Sequence, residues 1–548
     1  MPFYYIGPKE HSRDRLSDLC STTQPFISMD TETPTIQDKQ CLGFGIATAA
    51  NEAYYFPAES PDTPWPVVES TSIRKVFHNI FWDLDIIDMN FSRKLWNLAD
   101  TKLLAHYLNK WSTELSVIGP EETGLVARNA GDVMAEHKVK RMDQMAEEVV
   151  ARKCMEDCMC TYALYDKWWQ SMSDADRDYM DIEFQLIPIL HRMSGKGLLI
   201  DHAVRRKLLA DANKDTEFYK AIASAEGFNP GSPQQVAYIL LKRGNTGLRI
   251  KRNPLTHKMT ASTDESVLEL LDDPMATLTL NYRKARKLAG TYLEPLEGEP
   301  RCYTNFHMDA RTGRISSGGS KEARNIRNLQ NIPPDIRGMF LPDSGIFTDA
   351  DYSQIELRVL AHMTQDPDML LAFERDLDIH QDTADFMGIQ RKIAKNVNFA
   401  CVYGATPMTV MQTAKLRDYR RAQELLRAWS MKYRVAWNWL QDVQRTALRT
   451  GYTTTLYNRM IKLPMNEETD EQISRKATNY PIQGGAAEIV KRAMIRCWKA
   501  GLLDQLALQV HDELMFDGDV REQLMGLSLD HIAPFHTPLK VKMIDRWE

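Results

Sequence analysis

The sequence predicts an α+β fold in two parts: an α/β region at the N-terminal end, then a larger region with long helices and scattered short strands. Three observations carry this. Residues 25–60 hold short strand-like apolar runs separated by turns. Residues 183–300 read as largely helical. From 301 onward, short strand-length runs mix with longer helical stretches, as in an α+β region fed by a helical arm. The 548 residues exceed what one core usually serves.

Taken in order, "PFISMD" (25–30) is a strand leading into a turn, and "CLGFGIATA" (41–49) and "EAYYFPA" (52–58) are two more. From about 71 to 110 the pattern turns helical. "GPEETGLVARNAGD" (119–132) is loop-like. Two helical stretches follow, one containing "EEVVARKCMEDCMCTYALYDKWW" (147–169). The polar run at 170–185 marks a boundary, giving a first domain 1–172 and a second 173–548. Within the second, the loop "GFNPGSP" (227–233) interrupts the helices, and "NYRKARKLAGTY" (281–292) offers a basic helical face.

Composition bounds the class. The chain is 43% hydrophobic and 26% charged, ordinary for a globular protein. No apolar run approaches the roughly 20 residues that span a bilayer. The start, "MPFYYIGPKEHSRDR", lacks the basic-then-apolar order of a signal peptide, so a cytosolic location is expected. Net charge is −6, so an anionic partner must be held by local basic clusters or by metal ions. Eight cysteines suit a reduced compartment. Cys154, Cys158 and Cys160 in "KCMEDCMC" lack a fourth ligand and zinc-like spacing; a part-buried helix is expected there.

The chemistry concentrates in the second part. "TDADYSQIELRVLAHM" (348–363) sets Asp349, Asp351 and Glu356 in an apolar segment, where an ionised carboxylate is costly unless paired or metal-bound. "GIFTDAD" reads as a strand ending at Asp351, and "SQIELRVLAHM" as the helix after it. In "LALQVHDELMFDG" (506–518) two alternating strands flank a tip, "HDE", that carries Asp512 and Glu513 outward. Two acidic tips far apart in sequence suit a shared divalent-cation site. In "QRKIAKNVNFACVYGA" (390–405), Arg391, Lys395, Phe399 and Tyr403 recur every four residues. On a helix they drift by ~40° per step and form one stripe. Its two cations, beside the helix's positive pole, suit a polyphosphate. Its aromatics suit a nucleobase and sugar, and Gly404 can end the helix.

"DYSQIELR" (351–358), "RKIAKNVNFACVYG" (391–404) and "QVHDEL" (509–514) resemble the three signature motifs of family A DNA polymerases, the bacterial DNA polymerase I type. "TGRISS" (312–317), "NLQNIP" (328–333), "DIH" (378–380) and "RKATNYPIQGGAAE" (475–488) agree with it. The resemblance implies a right-hand polymerase: a thumb at roughly 183–300, palm and fingers over 301–548, and fingers at roughly 365–450. It implies two Mg²⁺ ions held by Asp351, Asp512 and the Tyr352 carbonyl. His380, Arg391 and Lys395 would grip the triphosphate, with Lys395 also donating a proton to pyrophosphate. Gln354, Phe399 and Tyr403 complete the nucleotide site. Glu356 would exclude a ribose 2′-hydroxyl and hydrogen-bond Tyr403. Phe399, where Tyr would admit dideoxynucleotides, implies their poor acceptance. Asp349 is given no role and is expected to be solvated. Arg314, Arg475, Asn479, Gln483 and His511 would line the primer–template minor groove, where donors check pair geometry without reading sequence. Arg283, Lys284, Arg286 and Lys287 would touch phosphates from the thumb.

The first part resembles the four-carboxylate 3′→5′ proofreading exonuclease of the same family, an α/β ribonuclease H-like domain. "ISMDTETP" (27–34) supplies Asp30 and Glu32, "HNIFWDLDII" (78–87) supplies Asp83 beside Asn79, and "MEDCMCTYALYDKWW" (155–169) supplies Asp157. Two Mg²⁺ or Mn²⁺ ions would bind there. The family carries Tyr four residues before its last Asp, and a related group carries His five before. Here those positions are Lys153 and Arg152. A rival register sets Tyr162 four before Asp166; the Thr161 and Trp169 spacings and the distance to "GKGLLID" (195–201) favour Asp157.

Expected partners are primer–template DNA, dNTPs and replisome proteins such as a helicase and a single-strand binding protein. A monomer is expected, with no membrane. The absence of a preceding 5′-nuclease and the short length point to a phage or other viral replicase in a bacterial cytoplasm. Two rivals are a nuclease whose second part merely binds DNA, opposed by Asp351, Asp512, Arg391 and Lys395, and a single-subunit RNA polymerase, opposed by Glu356.

Overall fold

The short apolar runs of the first part assemble into one sheet. In a computed structural model of the chain, the described residues are 3–5, 19, 24–60, 63–245, 248, 250–252, 259–320, 323–404, 406–416 and 418–548. They fall into two compact units, Met1–Met193 with Met494–Leu503, and Ser194–Ala493 with Asp504–Glu548. The polar run at 170–185 holds the break between the helices Glu147–Ser171 and Asp174–Lys196, and the division between the units falls near the end of the second of these.

In the first unit, β1 (Phe3–Tyr5), β2 (Phe26–Glu32), β3 (Gly43–Ala49), β4 (Glu52–Pro57), β5 (Arg74–Phe77) and β6 (Leu98–Asp100) form a six-stranded sheet in the order β1-β4-β3-β2-β5-β6. β2–β3 and β3–β4 pair antiparallel; β2–β5 and β5–β6 pair parallel. β5 and β6 correct the helical reading of 71–110. They are short, buried and parallel, and such strands show an apolar run without alternation. Between them lies α1 (Ile80–Phe91). The loop-like 119–132 is also corrected: helices Leu115–Thr123 and Ala130–Glu136 occupy most of it, the first with Pro120 inside. α2 (Glu147–Ser171) lies across β2, β3 and β4.

Small groups let α2 come close. Ser28 Oγ donates to the Cys158 carbonyl at 2.6 Å. A Cβ on Gly45 would stand 2.7 Å from Cys158 Sγ and 2.9 Å from Cys154 Sγ, so only glycine fits. The three clustered cysteines are buried, as a helix with an inward face requires.

In the second unit, α3 (Pro274–Lys287) packs on the helix His202–Ala225. Further along, β7 (Phe347–Tyr352), β8 (Leu506–Val510), β9 (Glu513–Asp517) and β10 (Leu539–Ile544) form an antiparallel sheet in the order β8-β9-β7-β10. β8 is buried on both faces, not half-buried as its alternation implied. After β7 the chain turns through Gln354, at φ 54°, into α4 (Ile355–Thr364). α5 (Arg391–Val402) ends where Gly404 takes φ 72°. A Cβ there would meet Thr478 Oγ1 at 2.6 Å. α6 (Asp470–Lys499) carries Thr478.

Candidate active sites

β7 and the β8–β9 turn bring Asp351 and Asp512 together. Val510 pairs with Glu513, leaving His511 and Asp512 as a two-residue turn, with His511 at φ 58°. Tyr352 N donates to the Asp512 carbonyl at 3.1 Å, so the turn is seated beside the end of β7. Burial and the neighbouring Asp512 and Asp349 charges push Asp351 up to about 6. Burial also raises Asp512. Two carboxylates that resist ionising side by side are the donor set a divalent cation would relieve. The tip differs from "HDE" by one residue. Glu513 opens β9, opposite Asp351. Burial and the Asp349 charge push Glu513 up to about 8.

Asp349 is not solvated. It is 4% exposed and pairs with Lys542 at 3.1 Å. The register explains this: Lys542 stands opposite Asp349, and Lys540 opposite Asp351. The sequence reading missed both lysines. β10 lies far along the chain, and its "LKVKMI" alternation signals only a strand with a polar face.

Glu356, in the first turn of α4, accepts hydrogen bonds from Arg314 and from the Tyr403 hydroxyl. Arg314, expected at the minor groove, is engaged here by that carboxylate. A cavity opens between them, lined by Arg314, Glu356, Gln509, His511 and Asp512. Tyr352 is buried, and its hydroxyl donates to the Leu529 carbonyl at 3.0 Å. Gln330, in "NLQNIP", bonds Gln509 Oε1 at 2.9 Å and the Ile315 carbonyl at 3.2 Å, tying β8 to that segment.

The α5 stripe forms with two differences. Lys395 is exposed, and Phe399 lies 5.7 Å from the His380 ring and 6.3 Å from that of Tyr403, centroid to centroid. Arg391 does not stand open: Nε donates to Asp378 at 2.7 Å. His380 is 3% exposed, bonded through Nδ1 to Asn398 at 3.0 Å. Burial pushes it down to about 4, so at pH 7 it is a neutral donor or acceptor and not a cation. Arg475, Asn479 and Gln483 recur every four residues along α6 and share a face. Asn479 Oδ1 is buried with no partner among the described residues. Of the basic run, Arg283 is turned inward onto the Pro230 and Thr263 carbonyls, and Lys284 pairs with Asp335 at 2.7 Å; Arg286 and Lys287 remain exposed.

The first unit gathers the second carboxylate group. Asp30 and Glu32 share one face of β2. Asp83, from α1, is held by Thr31, whose N and Oγ1 donate to its Oδ1 at 2.9 and 2.7 Å. Asp157 projects from α2. Ligand atoms of Asp30, Glu32 and Cys154 lie within 4.8 Å of one another. Burial raises Asp30 and Glu32, and pushes Asp83 up to about 7. Asp166 stands elsewhere, half-buried and bonded to Gln170 at 2.7 Å. Lys153 is inside the cluster: Nζ donates to Glu32 Oε1 at 2.7 Å and Asp157 Oδ2 at 2.8 Å.

Comparison with known proteins supplies the frame. Residues 202–541 match the family described as DNA polymerase family A, and residues 11–173 the family described as 3′-5′ exonuclease. The chain is 30% identical to DNA polymerase I of Pseudomonas aeruginosa, over 93% of this chain and 61% of that protein. It is 28% identical to DNA polymerase I of Caldicellulosiruptor bescii, over 87% and 57%. Against the Bacillus subtilis enzyme identity is 32%, over 72% and 48%. The chain thus spans about half to three fifths of the length of these relatives. Among solved structures it resembles the POL domain of Pol1 from M. smegmatis in complex with DNA primer-template and dNTP. The TM-score is 0.80 at 22% identity, covering 100% of this chain and 99% of that one.

Proposed function

This chain belongs to the family A DNA polymerases, with a 3′-5′ exonuclease domain before the polymerase region, and from that membership we propose that it copies a DNA template by adding dNTPs to a primer and trims mispaired ends. The observation that carries the reading is the seating of Asp512 against the end of β7, beside Asp351 and next to the Glu356–Tyr403 pair. Thumb, palm and fingers are assigned as the sequence places them, 183–300, 301–548 and, for the fingers, 365–450.

Asp351, Asp512 and the Tyr352 carbonyl would hold the cations, expected to be two Mg²⁺. The ions would acidify the primer 3′-hydroxyl and offset charge on the triphosphate. The residues do the rest. Arg391 exchanges Asp378 for phosphate oxygens, a bidentate contact for which a guanidinium is suited. Lys395 stands exposed one turn on and gives its proton to the departing pyrophosphate as the 3′-oxygen bonds the α-phosphorus. His380, neutral, donates a hydrogen bond and positions Phe399, against which the base and sugar rest. Glu356, fixed by Tyr403 and Arg314, blocks the space of a 2′-hydroxyl. Arg475, Asn479, Gln483 and His511, with Arg314 once it leaves Glu356, face the minor groove, and Gln354 borders the nucleotide. At the exonuclease site Asp30, Glu32, Asp83 and Asp157 would hold the cation or cations that activate water.

We place this activity in DNA replication, with a viral replicase in a bacterial cytoplasm and replisome partners as the expected setting. No helix among the described residues is long and apolar enough to cross a membrane. The test is a gel of a labelled primer–template with Mg²⁺, with and without dNTPs. Extension should vanish in Asp351→Ala and in Asp512→Ala, and degradation should vanish in Asp30→Ala. Extension that survives either of the first two changes refutes the site.

A further inference from the structure

The exonuclease cluster contains a cation of its own. Lys153 occupies the place at which the family carries a tyrosine, and its side chain does not leave the site. It is 6% exposed, and so is Asp157; Glu32 is 4% exposed. The ammonium bonds one oxygen of Glu32 and one of Asp157, at 2.7 and 2.8 Å. Asp83 Oδ1 is taken twice by Thr31. Asp157 Oδ1 and Asp30 Oδ2 are buried and meet no hydrogen-bond partner among the described residues. Those two oxygens are what a cation would satisfy.

Charge points the same way. Four carboxylates balance two divalent ions. With a fixed ammonium among them, one divalent ion leaves a net charge of −1 and two leave +1, and the second must bind carboxylates already committed to the lysine and against its positive charge. A lysine also has donors and no acceptor, so it cannot take a proton from water as long as it is charged. The two-ion expectation for this site therefore does not fit the residues present.

We propose that the Lys153 ammonium supplies the charge a second divalent ion supplies in a two-metal nuclease, so that this site binds a single divalent cation, on Asp30 and Asp157, and trims DNA slowly. The inference rests on reading the cluster as a nuclease site. Lys153 is then a restraint on proofreading built into the fold, and the balance between synthesis and trimming is set by one side chain.

The experiment counts ions. The full chain carrying Asp351→Asn and Asp512→Asn, which disables the polymerase site, is titrated with Mn²⁺ by calorimetry. A partner protein in which Asp30, Glu32 and Asp157 are also changed to amides is titrated beside it. The difference should be one Mn²⁺. A difference of two, or of none, overturns the proposal without need of any lysine variant. Lys153→Met should raise the difference to two and speed Mn²⁺-dependent degradation of a labelled primer at least tenfold. A folded Lys153→Met that still binds one ion and degrades no faster overturns it as well. If Lys153→Met does not fold, the parental count decides. Degradation that persists when Asp30 is changed to Asn refutes the nuclease reading itself, whereas Asp30-dependent degradation with two ions bound refutes only the role given to the lysine.

Discussion

Gly45→Ala tests the packing that positions the exonuclease cluster. Gly45 pairs with Asp30 across β2 and β3, and its Cα faces α2. The new methyl would lie 2.7 Å from Cys158 Sγ and 2.9 Å from Cys154 Sγ. Ordinary contact lies at roughly 3.5–4.0 Å, so α2 must retreat by about 1 Å. Neither sulfur can swing aside, since both cysteines are fully buried. Overpacking of this kind costs about 1–3 kcal/mol. For a unit of this size each kcal/mol lowers Tm by about 2–4 °C. The same retreat carries Lys153 and Asp157 away from Asp30 and Glu32. A misplacement of about 1 Å at a reacting centre can cost about 100-fold. Thermal unfolding and primer degradation without dNTPs report the two effects, and primer extension serves as the internal control. The triple variant with Cys154→Ala and Cys158→Ala should recover most of both. A Gly45→Ala protein with wild-type Tm and wild-type degradation would show that α2 is not held against β3, and the account of how Asp157 reaches the site would fail.

Asp351→Asn or Asp512→Asn should reduce primer extension by about 10³-fold or more, the scale of several kcal/mol of lost charge stabilisation, with primer–template affinity measured by anisotropy nearly unchanged. Glu356→Ala should admit ribonucleotides, seen as at least a tenfold fall in the ratio of dNTP to rNTP incorporation efficiency. Phe399→Tyr should increase termination by dideoxynucleotides; a protein that discriminates as before removes that role from Phe399. The metal-free protein should lose stability as pH rises. Asp83 is held at about 7 from an ordinary 3.8, so its folded form binds the proton more tightly. Its favourable contribution is complete below about 4 and is lost progressively towards 7. Tm in EDTA should therefore fall between pH 4.5 and 7.5 (about three pH units), and Asp83→Asn should flatten that slope.

What the sequence made legible were local patterns with a fixed period. The strand ending near Asp351, the four-residue stripe from Arg391 to Tyr403 and the paired Asp30 and Glu32 all follow from the repeat of their element. What stayed hidden were cross-chain partners. Asp349 looked solvated because Lys542 is 193 positions away and meets it only through the β7–β10 register. The burial of His380 stayed hidden because nothing nearby in the chain announces Asn398. Lys153 could be seen to depart from its family, but not to reach Glu32, which lies across the unit on β2. β5 and β6 escaped for a related reason: a short buried strand carries no alternation to read.

The strand β10 has a practical consequence. It sets Lys540 and Lys542 opposite Asp351 and Asp349, and a few residues later Trp547 is buried against Phe340, with its N bonded to the Phe340 carbonyl at 3.2 Å. A chain shortened before residue 539 would forfeit both counter-charges and that anchor together. Deletion mapping from this end should abolish nucleotide addition abruptly, within a dozen residues, although none of the deleted residues is among those assigned to the nucleotide site.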